Sequence, residues 1–126
     1  LRNKYLEFIC KNVFVKLENK KNTYFKNINK DILELHIAHN EGNYFCTNDQ
    51  LKEIQDNNQI ALYYCNNKGE IDEQFNPNGS IKNIAGIFNK EKNVLGMMPH
   101  PERMIDQSLS GEDGSLFFKN LINNLK

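Results

Sequence analysis

The sequence predicts an α/β fold with at least one antiparallel strand pair, on three observations. Short apolar or alternating runs of strand length are separated by Asn-, Lys- and Gly-rich turns. Two segments show apolar residues at helical spacing. Between the last two strand-like runs lies the five-residue polar loop Asn89–Asn93, a length that suits a hairpin. No internal repeat, linker or break in composition divides the 126 residues, so residues 1–126 read as one unit.

Taken in order, Val13–Leu17 reads as a strand, followed by a Lys/Asn turn and a short extended segment around Thr23-Tyr24-Phe25. Leu33–Ala38 alternates, with Leu33, Leu35 and Ile37 on one side and Glu34 and His36 on the other, as in a half-buried strand. It runs into the loop His39-Asn40-Glu41-Gly42-Asn43. Thr47 offers an N-cap for a helix through Leu51 and Ile54 to Asp56, which Asn57-Asn58 close. Ile60–Cys65 is a strongly apolar strand ending in the turn Asn66–Gly69, and Asn76-Pro77-Asn78-Gly79-Ser80 marks another turn. Ile84–Phe88 and Val94–Met98 are the hairpin strands. Leu116, Phe117, Leu121, Ile122 and Leu125 mark a C-terminal helix beginning near Gly114-Ser115.

Composition excludes several classes of function. Sixteen basic residues balance sixteen acidic ones, leaving no electrostatic footprint for nucleic acid or an anionic membrane surface. No apolar run has the length of a membrane span, and the first residues do not resemble a signal peptide. Three irregularly spaced cysteines fit neither a disulfide framework nor a zinc site, so a reducing cytoplasm is the expected compartment.

The chemistry concentrates at Met98-Pro99-His100-Pro101-Glu102-Arg103. Each proline biases the residue before it away from helix. In extended backbone, residues two apart project to one side, so His100 and Glu102 face one pocket and the carboxylate orients the ring. The bland alternative is a stiffened turn in which Glu102 pairs with Arg103. A planar guanidinium at Arg103, in a Lys-rich chain whose only other arginine is Arg2, is the one further hint of a bidentate contact. His36 and His39 lie three apart and point to opposite sides, with His36 on the exposed strand face and His39 in the loop. No metal site is expected from them. A nucleophilic cysteine calls for a glycine-flanked strand-to-helix turn. Cys10, among Phe8, Ile9 and Val13, reads as core, and Cys65 leads into a turn. Cys46 comes nearest, just before the Thr47 cap, but lacks flanking glycines.

Together these motifs resemble a known family. Asn76-Pro77-Asn78-Gly79-Ser80, Asn83–Ile87 and Asn93–Arg103 are similar to the glutaminase subunits of phosphoribosylformylglycinamidine synthase, members of the class I glutamine amidotransferases. So are the loop Ile37–Tyr44, the tail Gly111–Phe117 and the opening Leu1-Arg2-Asn3 with Phe8-Ile9-Cys10. The resemblance implies a three-layer α/β/α sandwich carrying a Cys-His-Glu triad, of which His100 and Glu102 are present. His39, Glu41 and Gly42 then belong to the loop beside the glutamine. Asn40 stands there in place of the family's usual glycine, a swap expected to restrict the backbone. The family's nucleophile elbow has no counterpart here, so the resemblance makes residues 1–126 the C-terminal half of such a domain, inactive by itself. The family's reaction supplies ammonia from glutamine to a synthetase subunit, with a small accessory subunit, for amidation of formylglycinamide ribotide in purine biosynthesis. ATP and Mg are expected on the synthetase, and no cofactor on this chain. Two other readings stay open: a self-contained cysteine hydrolase using Cys46 with His100, and a non-catalytic module docking on the synthetase.

Overall fold

The computed structural model describes residues 1–108 and 111–125, without the Leu125 side chain. Five strands form one sheet: β1 (Ile9–Leu17), β2 (Ile32–His39), β3 (Ile60–Cys65), β4 (Ile84–Phe88) and β5 (Leu95–Met97), ordered β2-β1-β3-β4-β5. All four pairings are antiparallel, where the sequence indicated at least one. Two helices accompany them, α1 (Asn48–Asp56) and α2 (Ser115–Leu125).

Alternation in β1 and β2 decides which face is core. The register sets Val13 opposite Leu35 and Val15 opposite Leu33, so two rows of branched aliphatics meet across the pair. Val15, Leu33, Leu35 and Ile37 are fully buried. Each such side chain stabilises the fold by about 1.5–3 kcal/mol relative to exposure. On the outer face the same strands carry Cys10, Asn12, Glu34 and His36, none of them buried.

β3 and β4 are covered on both sides. Adjacent strand residues point to opposite faces, and adjacent residues here join different clusters. Tyr64 and Ala85 lie in the larger core with Phe117 of α2, whereas Tyr63 and Ile84 pack in a smaller cluster with Leu51 of α1. The sheet therefore has a helix contributing on each face, the layering expected of an α/β/α sandwich.

Local differences from the sequence reading have identifiable causes. β1 begins at Ile9 rather than Val13 because its pairing with β2 continues to His39. Thr23-Tyr24-Phe25 is a turn, not a strand. The Asn120 side chain of α2 donates to the carbonyls of Thr23 and Tyr24, and Asn22 Oδ1 accepts from the Tyr24 and Phe25 amides. That turn drives Phe25 into the core, edge-on to Phe117 at 5.7 Å between ring centroids. Val94 stays outside β5 and is exposed. Helix α1 starts as expected: Thr47 Oγ1 accepts from the Gln50 amide, and Gln50 Oε1 accepts from the Thr47 amide, a reciprocal capping box.

Beyond β5 the chain crosses to the far edge of the sheet. The Met98 amide donates to the Ala85 carbonyl at 3.0 Å, and only two residues later the His100 amide donates to the His36 carbonyl of β2 at 2.7 Å. Two residues span roughly 7 Å, so the sheet must coil to bring β4 and β2 within their reach. This crossing positions the candidate site.

Candidate active site

His100 sits at the N-cap position of the 3₁₀ turn Pro101–Arg103, with Pro101 as its first residue. The sequence reading placed His100 and Glu102 in one extended stretch, and this is corrected. Proline at the first helical position suits a tight turn, since its fixed φ is already helical and its missing N–H has no role there. The side chains still meet. His100 Nδ1 lies 2.7 Å from Glu102 Oε1, with the ring one-third exposed and the carboxylate more than half exposed. Partial burial would push the Glu102 carboxyl up. The hydrogen bond from His100, a bond from its own backbone amide, and the charges of His100 and Arg103 outweigh it and hold the carboxyl below its usual range. Arg103 is exposed and forms no ion pair among the described residues, so Glu102 is not diverted to it.

Close backbone packing fixes the turn. A methyl group at Gly114, just before α2, would collide with the Pro101 carbonyl. Met104, 1% exposed, anchors the far end of the turn. Asp113 ties the same segment to β2, accepting from the Glu34 amide at 2.9 Å and from Lys30 Nζ at 2.6 Å. With Nδ1 engaged by the carboxylate, His100 Nε2 is the nitrogen left for proton transfer.

His39 is not a loop residue. It ends β2 with its ring buried, Asn78 hydrogen-bonded to it and Gly42 packed against it. Asn78 Oδ1 accepts from the Ser80 amide and hydroxyl, which orients the amide and turns Nδ2 toward the Gly42 carbonyl and His39 Nε2. His39 Nε2 therefore accepts, Nδ1 carries the proton, and that buried Nδ1 has no hydrogen-bond partner among the described residues. Burial, then the charge of nearby His100, lowers its proton affinity and keeps the ring neutral. Gly42 is required for space, since a methyl group there would overlap the His39 ring. Glu41 instead faces solvent, 3.9 Å from Arg2 Nε. Asn40 does not adopt the left-handed backbone that glycine favours, so the replacement costs no strain.

Sequence reasoning missed two organising residues. Asn3, 1% exposed, donates to the His39 and Glu7 carbonyls and accepts from the Gly42 amide, stapling the opening segment to the loop. Asn78, fully buried, read only as a turn former. Its signal was faint: the turn Asn76–Ser80 contains more amide side chains than a turn requires.

The cysteines separate cleanly. Cys46 and Cys65 are buried. Cys46 packs with Leu51, Ile60 and Ile84. Burial pushes the Cys65 thiol up to about 11, against a small opposing effect of Lys16. Cys10, expected in the core, is exposed on the outer face of β1, because alternation turns Ile9, Val13, Val15 and Leu17 inward and leaves Cys10 on the opposite face. Among the described residues no thiol is hydrogen-bonded to His100. No group of three or more His, Cys, Asp or Glu among those residues could hold a metal ion, and no described helix is long and apolar enough to cross a membrane.

Comparison with known proteins decides the family, for residues 1–112 match the CobB/CobQ-like glutamine amidotransferase domain. The chain belongs to that family. Over all 126 residues it is 76% identical to phosphoribosylformylglycinamidine synthase subunit PurQ of Pelagibacter ubique, and over 123 residues 42% identical to the PurQ of Aquifex aeolicus. It covers 56% and 54% of those two proteins, and so spans about half their length. Among solved structures, PurLQS from Thermotoga maritima matches the whole chain with a TM-score of 0.79 and 33% identity, over 52% of the matched chain. The sheet and its two helices are thus half of an amidotransferase fold, and the His100–Glu102 pair lies within the matched residues.

Proposed function

We propose that this chain supplies the histidine and carboxylate of a Cys-His-Glu glutaminase that provides ammonia for formylglycinamide ribotide amidation. The observation that carries the proposal is the 2.7 Å contact between His100 Nδ1 and Glu102 Oε1, in a chain of the amidotransferase family. The carboxylate holds the ring in one tautomer and stabilises the imidazolium, leaving Nε2 to handle protons. A cysteine thiolate attacks the glutamine amide carbon, and His100 Nε2 protonates the departing ammonia. The same nitrogen then takes a proton from the water that attacks the thioester, releasing glutamate. In this reading the nucleophile lies outside these 126 residues, which the burial of Cys46 and Cys65 and the placement of Cys10 beside His36 rather than His100 support.

In this reading His39, at the end of β2, and Glu41 and Gly42, in the loop that follows it, form the substrate-side segment. The neutral His39 ring, packed on Gly42 and electrostatically coupled to His100, supports a place beside the glutamine. Glu41, in solvent beside Arg2, contributes at most from its rim. The relatives are named as a synthase subunit, and the matched structure is of PurLQS. The reading therefore extends to a cytoplasmic complex with a synthetase subunit that uses ATP and Mg, and a small accessory subunit. The test is glutamine hydrolysis by the chain alone, by the chain with the missing half, and by the same assembly carrying His100→Ala. Activity is expected only in the second. Steady hydrolysis by the chain alone overturns the proposal.

A further inference from the structure

Outside the His100 site, the exposed face of β1 and β2 carries a second constellation with the parts of a nucleophilic centre. Cys10 Sγ lies 3.4 Å from His36 Nε2, and His36 Nδ1 lies 2.9 Å from Asn12 Oδ1. Register explains the grouping. Asn12 is directly opposite His36, and Cys10 is opposite Ala38, so the thiol and the imidazole are diagonal neighbours on one face.

The tautomer follows from the network. Asn12 Nδ2 donates to Glu34 Oε1 at 3.1 Å, which turns Asn12 Oδ1 toward the imidazole. Asn12 Oδ1 can only accept, so His36 Nδ1 carries the proton and Nε2 presents its lone pair to the Cys10 S–H. A thiol, a base within reach and a third group orienting the base are what an activated nucleophile needs. Among the described residues neither buried thiol is hydrogen-bonded to a histidine. Cys10 and Asn12 are exposed, and neither Cys10 nor His36 lines a concavity among the described residues. An acyl substrate would find no support there, whereas a small disulfide needs only an accessible sulfur.

The geometry points to Cys10 as a histidine-activated thiol that exchanges with low-molecular-weight disulfides. The Cys10 proton passes to His36 Nε2, and Sγ forms a bond to one sulfur of the disulfide. The original S–S bond breaks, and its second sulfur leaves as a thiolate that is protonated from His36 or water. Cys10 ends as a mixed disulfide and one free small thiol is released, with no further oxidant. The His36 carbonyl accepts the His100 amide hydrogen, so the modified residue sits beside a strand that holds the candidate catalytic histidine.

The experiment uses cystamine as the probe on the purified protein, with peptide mass mapping of the adduct over time. Cys10 is expected to react about tenfold faster in the native protein than in guanidinium-unfolded protein at neutral pH. His36→Gln should remove most of that advantage, Asn12→Leu should reduce it, and Cys10→Ser should abolish the adduct. Cys46 and Cys65 report on folding in each variant, since they stay protected only while the core is intact. If His36→Gln exposes them, Asn12→Leu carries the comparison. Native Cys10 reacting no faster than the unfolded residue overturns the inference, as does a folded His36→Gln or Asn12→Leu protein that keeps the full native rate.

Discussion

At the residue scale the account rests on two side chains and the turn between them. Glu102→Gln keeps the shape of the carboxylate but offers His100 an amide, and should lower kcat for glutamine in the assembled protein by about 10²–10⁴-fold. The ratio of steady-state ammonia release by the two proteins measures this. His39 yields a pH prediction. Its proton affinity is lowered on folding, so below pH 6.5 the unfolded chain binds a proton that the folded chain resists. Its contribution to stability is complete above that value and is lost as pH falls toward the folded pKa. Melting curves from pH 7.5 downward should show Tm falling faster for the native chain than for His39→Gln. The contact between His100 and Glu102 was legible in the sequence because two prolines leave few conformations to the residues between them. Its backbone was not, since proline serves an extended segment and a first helical turn equally well. The burial of His39 was hidden because its partners, Asn3 on its carbonyl and Asn78 on its ring, lie 36 and 39 residues away.

At the scale of elements, local chemistry predicts starts better than ends. Thr47 announced α1 because its capping hydrogen bonds are made within three residues. Thr47→Ala should cost about 1 kcal/mol, read as a lower urea midpoint with an unchanged slope. The extent of β1 is set instead by β2 across the pair, and the turn at Thr23–Phe25 by Asn120 nearly a hundred residues away. Neither signal is local, so both escaped a reading of periodicity. Gly114 shows the reverse: it read as the start of a helix, while its function is to let the Pro101 carbonyl approach. Gly114→Ala should destabilise the chain by about 1–3 kcal/mol through overpacking. In the assembly with the missing half it should also reduce the proposed glutaminase activity where the variant remains folded, because the displaced turn carries both His100 and Glu102.

For the whole molecule, the sequence indicated an α/β fold but not the strand order, since β2-β1-β3-β4-β5 depends on pairings between distant segments. The resemblance to amidotransferases supplied what periodicity lacked, and the matched structure bears out the fold. The chain spans about half the length of its curated relatives, and Leu1, Tyr5, Leu6 and Phe8 are each more than 60% exposed. The central claim is that His100 and Glu102 serve a cysteine outside residues 1–126. The most direct measurement is labelling of the assembled protein with a diazoketone analogue of glutamine, followed by mass mapping of the adduct that excess glutamine prevents. The account predicts a glutamine-protected adduct on a cysteine outside this chain, much slowed by His100→Ala. A glutamine-protected adduct on Cys10, Cys46 or Cys65 would contradict it.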